Sequence, residues 1–561
     1  MKKQRFILWH AGFFCLSVLL WLLTGCSESG SFSPAPLSDT EDGEGENENP
    51  ILNAGEVNAV DSVFPVSFEG ISAAEDLNRF IAEVDYPDGT HNNEAQKTGL
   101  ILSPYFSMTA GGVDIPCYAA RTALGAHSFA MLDVGEDAFP LELSVSVQGR
   151  FQNVAVLPER RGIEAQTADA SFRASVDGFG DYTFVLDDDR TRALTVLIRR
   201  EEPYEPPAGY DVVRIAPGLH EEKIGFTGEK QVLVFEAGVH ELKYNITFLN
   251  NTEVRLERGA LIYAVMPDRG EPLFQDPDWA GQFCWYALFQ GKDVSNVRIS
   301  GHGMVDMSPL DWHARLFVWF DASRNIVLDG LSCSNCPEWT VHISQCEDVT
   351  VSDVMLIGYR QNSDGICVED SRNVLVRDCF ARSGDDLFEV KSRYGACTIP
   401  IENIVFENCT AWPDKARGIG IICETRRDMK DITFQNCSVG FASAAWMEDL
   451  GALVVYAEND AHIENVTFDN IEIHEAAKYP INVTLGNDSR AQIDGLVFRR
   501  IDIGKADRIR ICNRSTAGGT IGGVAFEACS RRGKIAADEK TLQLSVENVD
   551  GAAISVTAGK T

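Results

Sequence analysis

Positive charge is scarce in this chain. Only 49 Lys and Arg face 83 Asp and Glu across 561 residues, a formal net charge of −34. So acidic a surface repels nucleic-acid phosphates and anionic lipid, which argues against a DNA- or RNA-binding role. The second half also lacks amphipathic helical segments between its apolar stretches, and the Leu-x-x-Leu-x-Leu spacing of leucine-rich repeats. Both absences narrow the repeat architectures open to it. What remains is ample apolar material: 45% of residues are hydrophobic, enough for a large core and more than one domain.

The chain opens with the basic "MKKQRF" and the apolar "ILWHAGFFCLSVLLWLL", which read as an export signal. A signal-anchor helix is the alternative. The segment ends in "LTGC", similar to a bacterial lipobox, and that likeness makes residues 1–26 a lipoprotein signal peptide with Cys26 lipid-modified. Membrane contact would then come only through this anchor, at an outer membrane, cell surface or periplasmic location. Residues 27–57 are small, acidic and turn-rich, and are expected to form a disordered tether.

Residues 58–204 show no repeat. Segments such as "LELSVSVQG" and "ALTVLIRR", broken by Gly and Asp, suggest short antiparallel strands in a β-sandwich-like domain. After the Pro-rich "EEPYEPPAGY", residues 205–561 become periodic. "NVRISG", "NIVLDG", "DVTVSD", "NVLVRD", "NIVFEN", "DITFQN", "NVTFDN" and "GLVFRR" start at residues 296, 325, 348, 373, 403, 431, 465 and 495. A period in the twenties to thirties built from strands predicts a right-handed parallel β-helix, all-β overall, with the turn Asn residues hydrogen-bonding along the stack. Fifteen cysteines in an exported chain would ordinarily suggest disulfides. Cys379, Cys409, Cys437 and Cys529, however, each close a repeat at the same phase, as a buried stack would. "CSNC" (Cys333, Cys336) shares that repeat context, with a metal or redox pair as the alternative.

Acidic residues carry the chemistry. Asp385 lies 21 residues after Asp364, about one coil, and Asp386 follows it. Residues one coil apart stack at about 4.8 Å. Gly365 and Gly384 suit tight turns that aim the acids to one side. Three readings remain on spacing alone: solvated turn aspartates, a calcium site, or acid–base catalysis in which repulsion keeps one carboxyl protonated.

"NSDGI", "SRNVLVRDC" and "GDDLFEVKS", in that order, resemble the polygalacturonase family of glycoside hydrolases over roughly residues 296–436. The resemblance implies that Asp385 is the general acid, and that Asp364 and Asp386 activate water with inversion at the anomeric carbon. It also gives Asn362 and Lys391 orienting or sugar-contacting roles, and His342 a place on the cleft floor or in the core. The family's His-Gly motif appears here as Arg417-Gly418. Arg417 either replaces that histidine, holds a charged sugar, or pairs with Asp414 or Glu424. The family's Arg-Ile-Lys motif is not recognisable. "SAAWMEDLG" occupies its region, and "RIRIC" at Arg508 lies too far downstream. A β-sandwich followed by a β-helix also resembles the dextranase family, which acts on neutral glucans. Trp339, Trp412, Glu369 and Glu389 are further candidates for sugar contact, or else packing and surface residues.

A monomeric glycoside hydrolase acting on a polysaccharide or oligosaccharide is therefore expected, with no cofactor, no metal and no nucleic acid. The rivals are a calcium-dependent lyase or epimerase and a non-catalytic glycan-binding surface protein.

Overall fold

In the computed structural model of the chain, the described residues are 100–201, 203–266 and 287–559. The signal peptide, Cys26, the tether and the first part of the 58–204 segment lie outside them. Among the described residues no helix is long and apolar enough to cross a membrane.

Residues 100–200 form two stacked sheets of six and five strands. Alternation in Leu141–Val147 and Ser171–Val176 turns Leu, Val, Phe and Ala inward onto Phe184 and Val196 of the opposing sheet. The pairing departs from the expected all-antiparallel pattern at one place. Gly125–Val134 pairs parallel with Ala193–Arg200. Both strands are buried along nearly their whole length, because this sheet is covered on its second face as well.

From Asp211 onward the chain winds as a parallel β-helix. Most complete coils place three short strands in succession, for example Arg372–Arg377, Phe380–Ser383 and Phe388–Ser392. The periodic segments stack in register: Val297, Ile326, Val349, Val374, Ile404, Ile432, Val466 and Leu496 share one buried column. Phe406, Phe434, Phe468, Phe498 and Phe526 form a second, with ring centroids 4.7–5.1 Å apart. The turn asparagines behave as their chemistry requires. Asn296, Asn325, Asn373 and Asn403 hold φ of 53–57°. Their amides donate to the preceding coil, as Asn403 Nδ2 does to Asn373 Oδ1 at 3.0 Å.

The twelve described cysteines are all free thiols. Cys379, Cys409 and Cys437 occupy adjacent coils of one buried column. Cys529 joins the same column only after Ile471 and Ile501 intervene, so the stack is mixed rather than purely cysteine. Cys333 and Cys336 are buried in the same core, and burial pushes Cys336 up to about 12, which suits packing rather than thiolate chemistry.

The sandwich covers one side of the β-helix. Tyr118, Phe129 and Met131 meet Met304, Met355, Phe380, Trp412 and Phe441 in a shared apolar cluster. Trp412 is therefore packing and not a sugar platform. His302, in "GHG", bonds Asp133 of the sandwich at 2.7 Å. The third strand of each coil, eleven of them from Ile246–Thr247 to Leu544–Glu547, forms a separate sheet. The acids lie just ahead of two of its strands, and we call this sheet the floor.

Candidate active site

Floor strands alternate. Ile366, Val368, Phe388, Val390, Ile419 and Ile421 turn into the core, so their neighbours turn outward. The acids sit just before these strands, where backbone hydrogen bonds continue the stacking. Thr340 N donates to Asp364 O, Gly365 N to Asp386 O, Leu387 N to Arg417 O and Gly418 N to Gly451 O. This places Trp339, Asp364, Asp386, Arg417 and Gly451 in one column, with Asp385 one residue earlier. Two glycines permit the close turns. A Cβ on Gly365 would sit 2.4 Å from Leu387 O, and one on Gly418 2.4 Å from Ala452 O. A side chain at either position would force apart the coils that align the acids.

One carboxylate oxygen from each of Asp364, Asp385 and Asp386 lies within 4.8 Å of the others. Asp364 and Asp386 are buried, and Asp385 is the more open of the three. Asp385 accepts hydrogen bonds from the backbone N–H of Asn362 (2.9 Å) and of Asp386 (3.0 Å). Burial, and then the charge of Asp386, push Asp385 up to about 6. Burial, reinforced by Asp385, raises Asp364 well above the ordinary carboxyl range despite Lys391 Nζ at 3.4 Å. Asp364 Oδ1 accepts no hydrogen bond from the described residues. Asp386 accepts from Arg417 N (2.8 Å) and from the Arg417 guanidinium (3.0 Å).

Arg417 is tied elsewhere than expected. Its partners are Asp386 and Asp449, while Asp414 faces the sandwich and pairs with Arg382, and Glu424 pairs with Lys391. Lys391 is buried, with Nζ 3.0 Å from Glu389 and 4.6 Å from the Trp339 ring centroid. Glu389 and Glu369 are fully buried rather than exposed floor residues. Glu369 is held by Arg393 and by His342 Nε2 at 2.7 Å. His342 is itself buried, edge-on to Trp339 at 4.7 Å, and so braces the outward side of the floor under the loops that cover it. Asn362 holds φ of 61° and its Oδ1 lies 3.1 Å from His313 Nε2. "RIRIC" forms a floor strand three coils beyond that of Arg417.

Glu338, His313 and Asp449 escaped the sequence reading. Glu338 is completely buried with His313 Nε2 3.1 Å away, and burial followed by the charge of Asp385 raises its carboxyl well above the usual range. Counting back 26 residues from Asp364 to the acid of "PEWT" was the available signal.

Three clustered carboxylates could in principle hold a hard cation, which takes six to eight oxygens. The arrangement fits one poorly. Asp386 is engaged by a guanidinium, Asp364 faces an ammonium, and both Asp385 oxygens accept backbone N–H groups. The cluster suits proton exchange better: a raised, accessible acid beside a buried ion-paired carboxylate.

Residues 268–492 match the model of the family described as glycosyl hydrolases family 28. A probable polygalacturonase of Arabidopsis thaliana is 26% identical over 209 residues, covering 35% of this chain and 43% of that protein. A polygalacturonase of Saccharomyces cerevisiae is 28% identical over 138 residues, covering 22% and 37%. This chain thus spans less than half the length of these relatives. Dex49A of Penicillium minioluteum superposes with a TM-score of 0.59 at 12% identity, covering 84% of this chain and 98% of that one. It shares the fold of the described chain.

Proposed function

We propose, from the likeness to glycosyl hydrolases family 28 across the floor, that this protein hydrolyses glycosidic bonds in a polysaccharide or its oligomers. The observation that carries this reading is the convergence of three carboxylates from neighbouring coils within 4.8 Å, the most accessible of them raised to about 6. Asp385 protonates the leaving oxygen. Asp386, oriented by Arg417, takes the proton of a water that it holds jointly with Asp364. Lys391 holds Asp364 in place through its Oδ2, and Asn362 fixes Asp385 through its backbone N–H. Release of new reducing ends from a glycan panel tests the reading, and an unsaturated, ultraviolet-absorbing product would overturn it in favour of a lyase.

Inversion is inferred from the ordered motifs. The carboxylate spacing points the other way, since two acids flanking a bond for inversion usually stand about 6.5–9.5 Å apart. NMR of the first anomer released separates the two: we expect the inverted anomer, and the retained one would make one aspartate a nucleophile.

The acid must carry its proton to work. Because its pKa is raised to about 6, kcat/KM is expected to fall about tenfold per pH unit above that value. A profile flat to pH 8 would remove Asp385 from the role. We also infer export with a lipid on Cys26. Palmitate labelling of the intact chain that persists in Cys26→Ser would refute it.

A further inference from the structure

The loop in place of the missing basic motif, "SAAWMEDLG", presents an apolar surface without a packing explanation. Trp446 is 49% exposed and Met447 36%, two of the few large hydrophobics left open to solvent among the described residues. The loop is held rather than loose. Trp446 Nε1 donates to Lys415 O at 2.8 Å, two residues before Arg417. Asp449 grips Arg417. Lys478 Nζ donates to Met447 O and Glu448 Oε1 (both 2.8 Å), and Asn482 Nδ2 to Glu448 O and Leu450 O (both 2.9 Å). The indole's polar edge is thus satisfied while much of its apolar surface stays wet, which is the form of a platform prepared for an apolar face.

The charges around it restrict what can lie there. The two cations that touch the aspartates are already engaged. Lys391 faces Asp364, Glu389 and Glu424, and Arg417 faces Asp386 and Asp449. Glu424 and Glu458 add negative charge on the same stretch, and burial together with Glu424 raises Glu458. A sugar carboxylate would meet like charge there with neither of these cations free to receive it.

We propose that Trp446 is the stacking platform of a sugar subsite two coils along from Asp386, next to the coil of Arg417, and that the ring it takes is a neutral pyranose rather than a uronate. This rests on the hydrolase reading and narrows its substrate class. A pyranose offers one face of C–H groups to an indole and needs no counter-charge.

The test sets the intact protein against dextran, pullulan, polygalacturonate and carboxyl-reduced polygalacturonate. A neutral polymer is expected to be cleaved with kcat/KM at least about tenfold above that on polygalacturonate. On the polymer cleaved, Trp446→Ala is expected to raise KM about tenfold with kcat within twofold, and Trp446→Phe to restore most of the loss. Preference for polygalacturonate, lost in Arg514→Ala, would overturn the proposal, because Arg514 makes no ion pair among the described residues and lies 5.6 Å from the Tyr456 ring centroid. An unchanged KM in Trp446→Ala would overturn it too. If no polymer is cleaved, the hydrolase reading fails separately, and fluorescence titration with isomaltotriose decides the subsite. Quenching that disappears in Trp446→Ala keeps it, and no quenching ends it.

Discussion

Asp385→Asn is expected to lose at least about 10²-fold in turnover while the protein stays folded and becomes more heat-stable above pH 6. The catalytic half follows from removing the only one of the three acids that is both raised and accessible. Asn keeps the shape, but its single oxygen can accept only one of the Asn362 and Asp386 N–H bonds, so the turn should survive with the stability gain reduced by one lost bond. The stability half follows from linkage. The folded-state value of about 6 lies above the ordinary 3.8, so the folded protein binds this proton more tightly than the unfolded chain does. Stability is then lost as pH rises from about 4 to 6, and asparagine escapes that loss. The melting-temperature gain should be full at pH 8 and absent at pH 4. Glycan turnover at wild-type rate would refute the assignment. A variant less stable at every pH would show that the carboxylate is structural instead.

That opposition between stability and chemistry explains why the adjacent aspartates are tolerated. They come from the turn that joins a strand of the sandwich-covered sheet to a floor strand, not from a strand interior, so both can face one side. The stacked backbone brings Asp364 to them without further design. This part was legible in the letters, because a β-helix converts sequence distance into spatial distance at a nearly fixed rate. A separation of 21 residues at that point of the chain could hardly mean anything but adjacency. The Val, Ile and Phe columns and the asparagine ladders were legible for the same reason: each coil repeats one pattern against one core.

What periodicity could not reveal are the contacts that break it. Asp449 reaches Arg417 from a loop inside a 34-residue coil, and nothing in its spacing distinguishes it from other acids of this acidic chain. His313 meets both Glu338 and Asn362 across coils of different length. The fate of Trp412 depended on which face the sandwich covers, a docking matter that neither domain's pattern encodes. Glu369 and Glu389 read as surface residues because outward glutamates usually are. They are buried here because Arg393, Lys391 and His342 close over the floor with them. Local pattern therefore fixes the frame of the site, whereas charge pairing between irregular loops fixes its electrostatics.

Arg417→Ala should have the second large effect: at least about 10²-fold in kcat, with a stability loss of about 3–5 kcal/mol. Arg417 is buried between Asp386 and Asp449, and removing it leaves two buried carboxylates without their cation. Asp386 would then drift from the geometry in which it shares water with Asp364, and its charge would fall more heavily on Asp385. Arg417→Lys restores charge but not the planar fork that spans both acids, so partial recovery is expected. Asp449→Asn separates the two roles. It keeps the guanidinium on Asp386 and removes only the outer partner, so turnover should stay within a few-fold while thermal stability falls. Thermal melts of all three variants and kcat on the cleaved glycan check this. If Arg417→Ala retained wild-type kcat, Arg417 would be a strut of the loop, and the orientation of Asp386 would need another source. If Asp449→Asn lost as much as Arg417→Ala, the catalytic unit would extend from three carboxylates to a buried network of five charges.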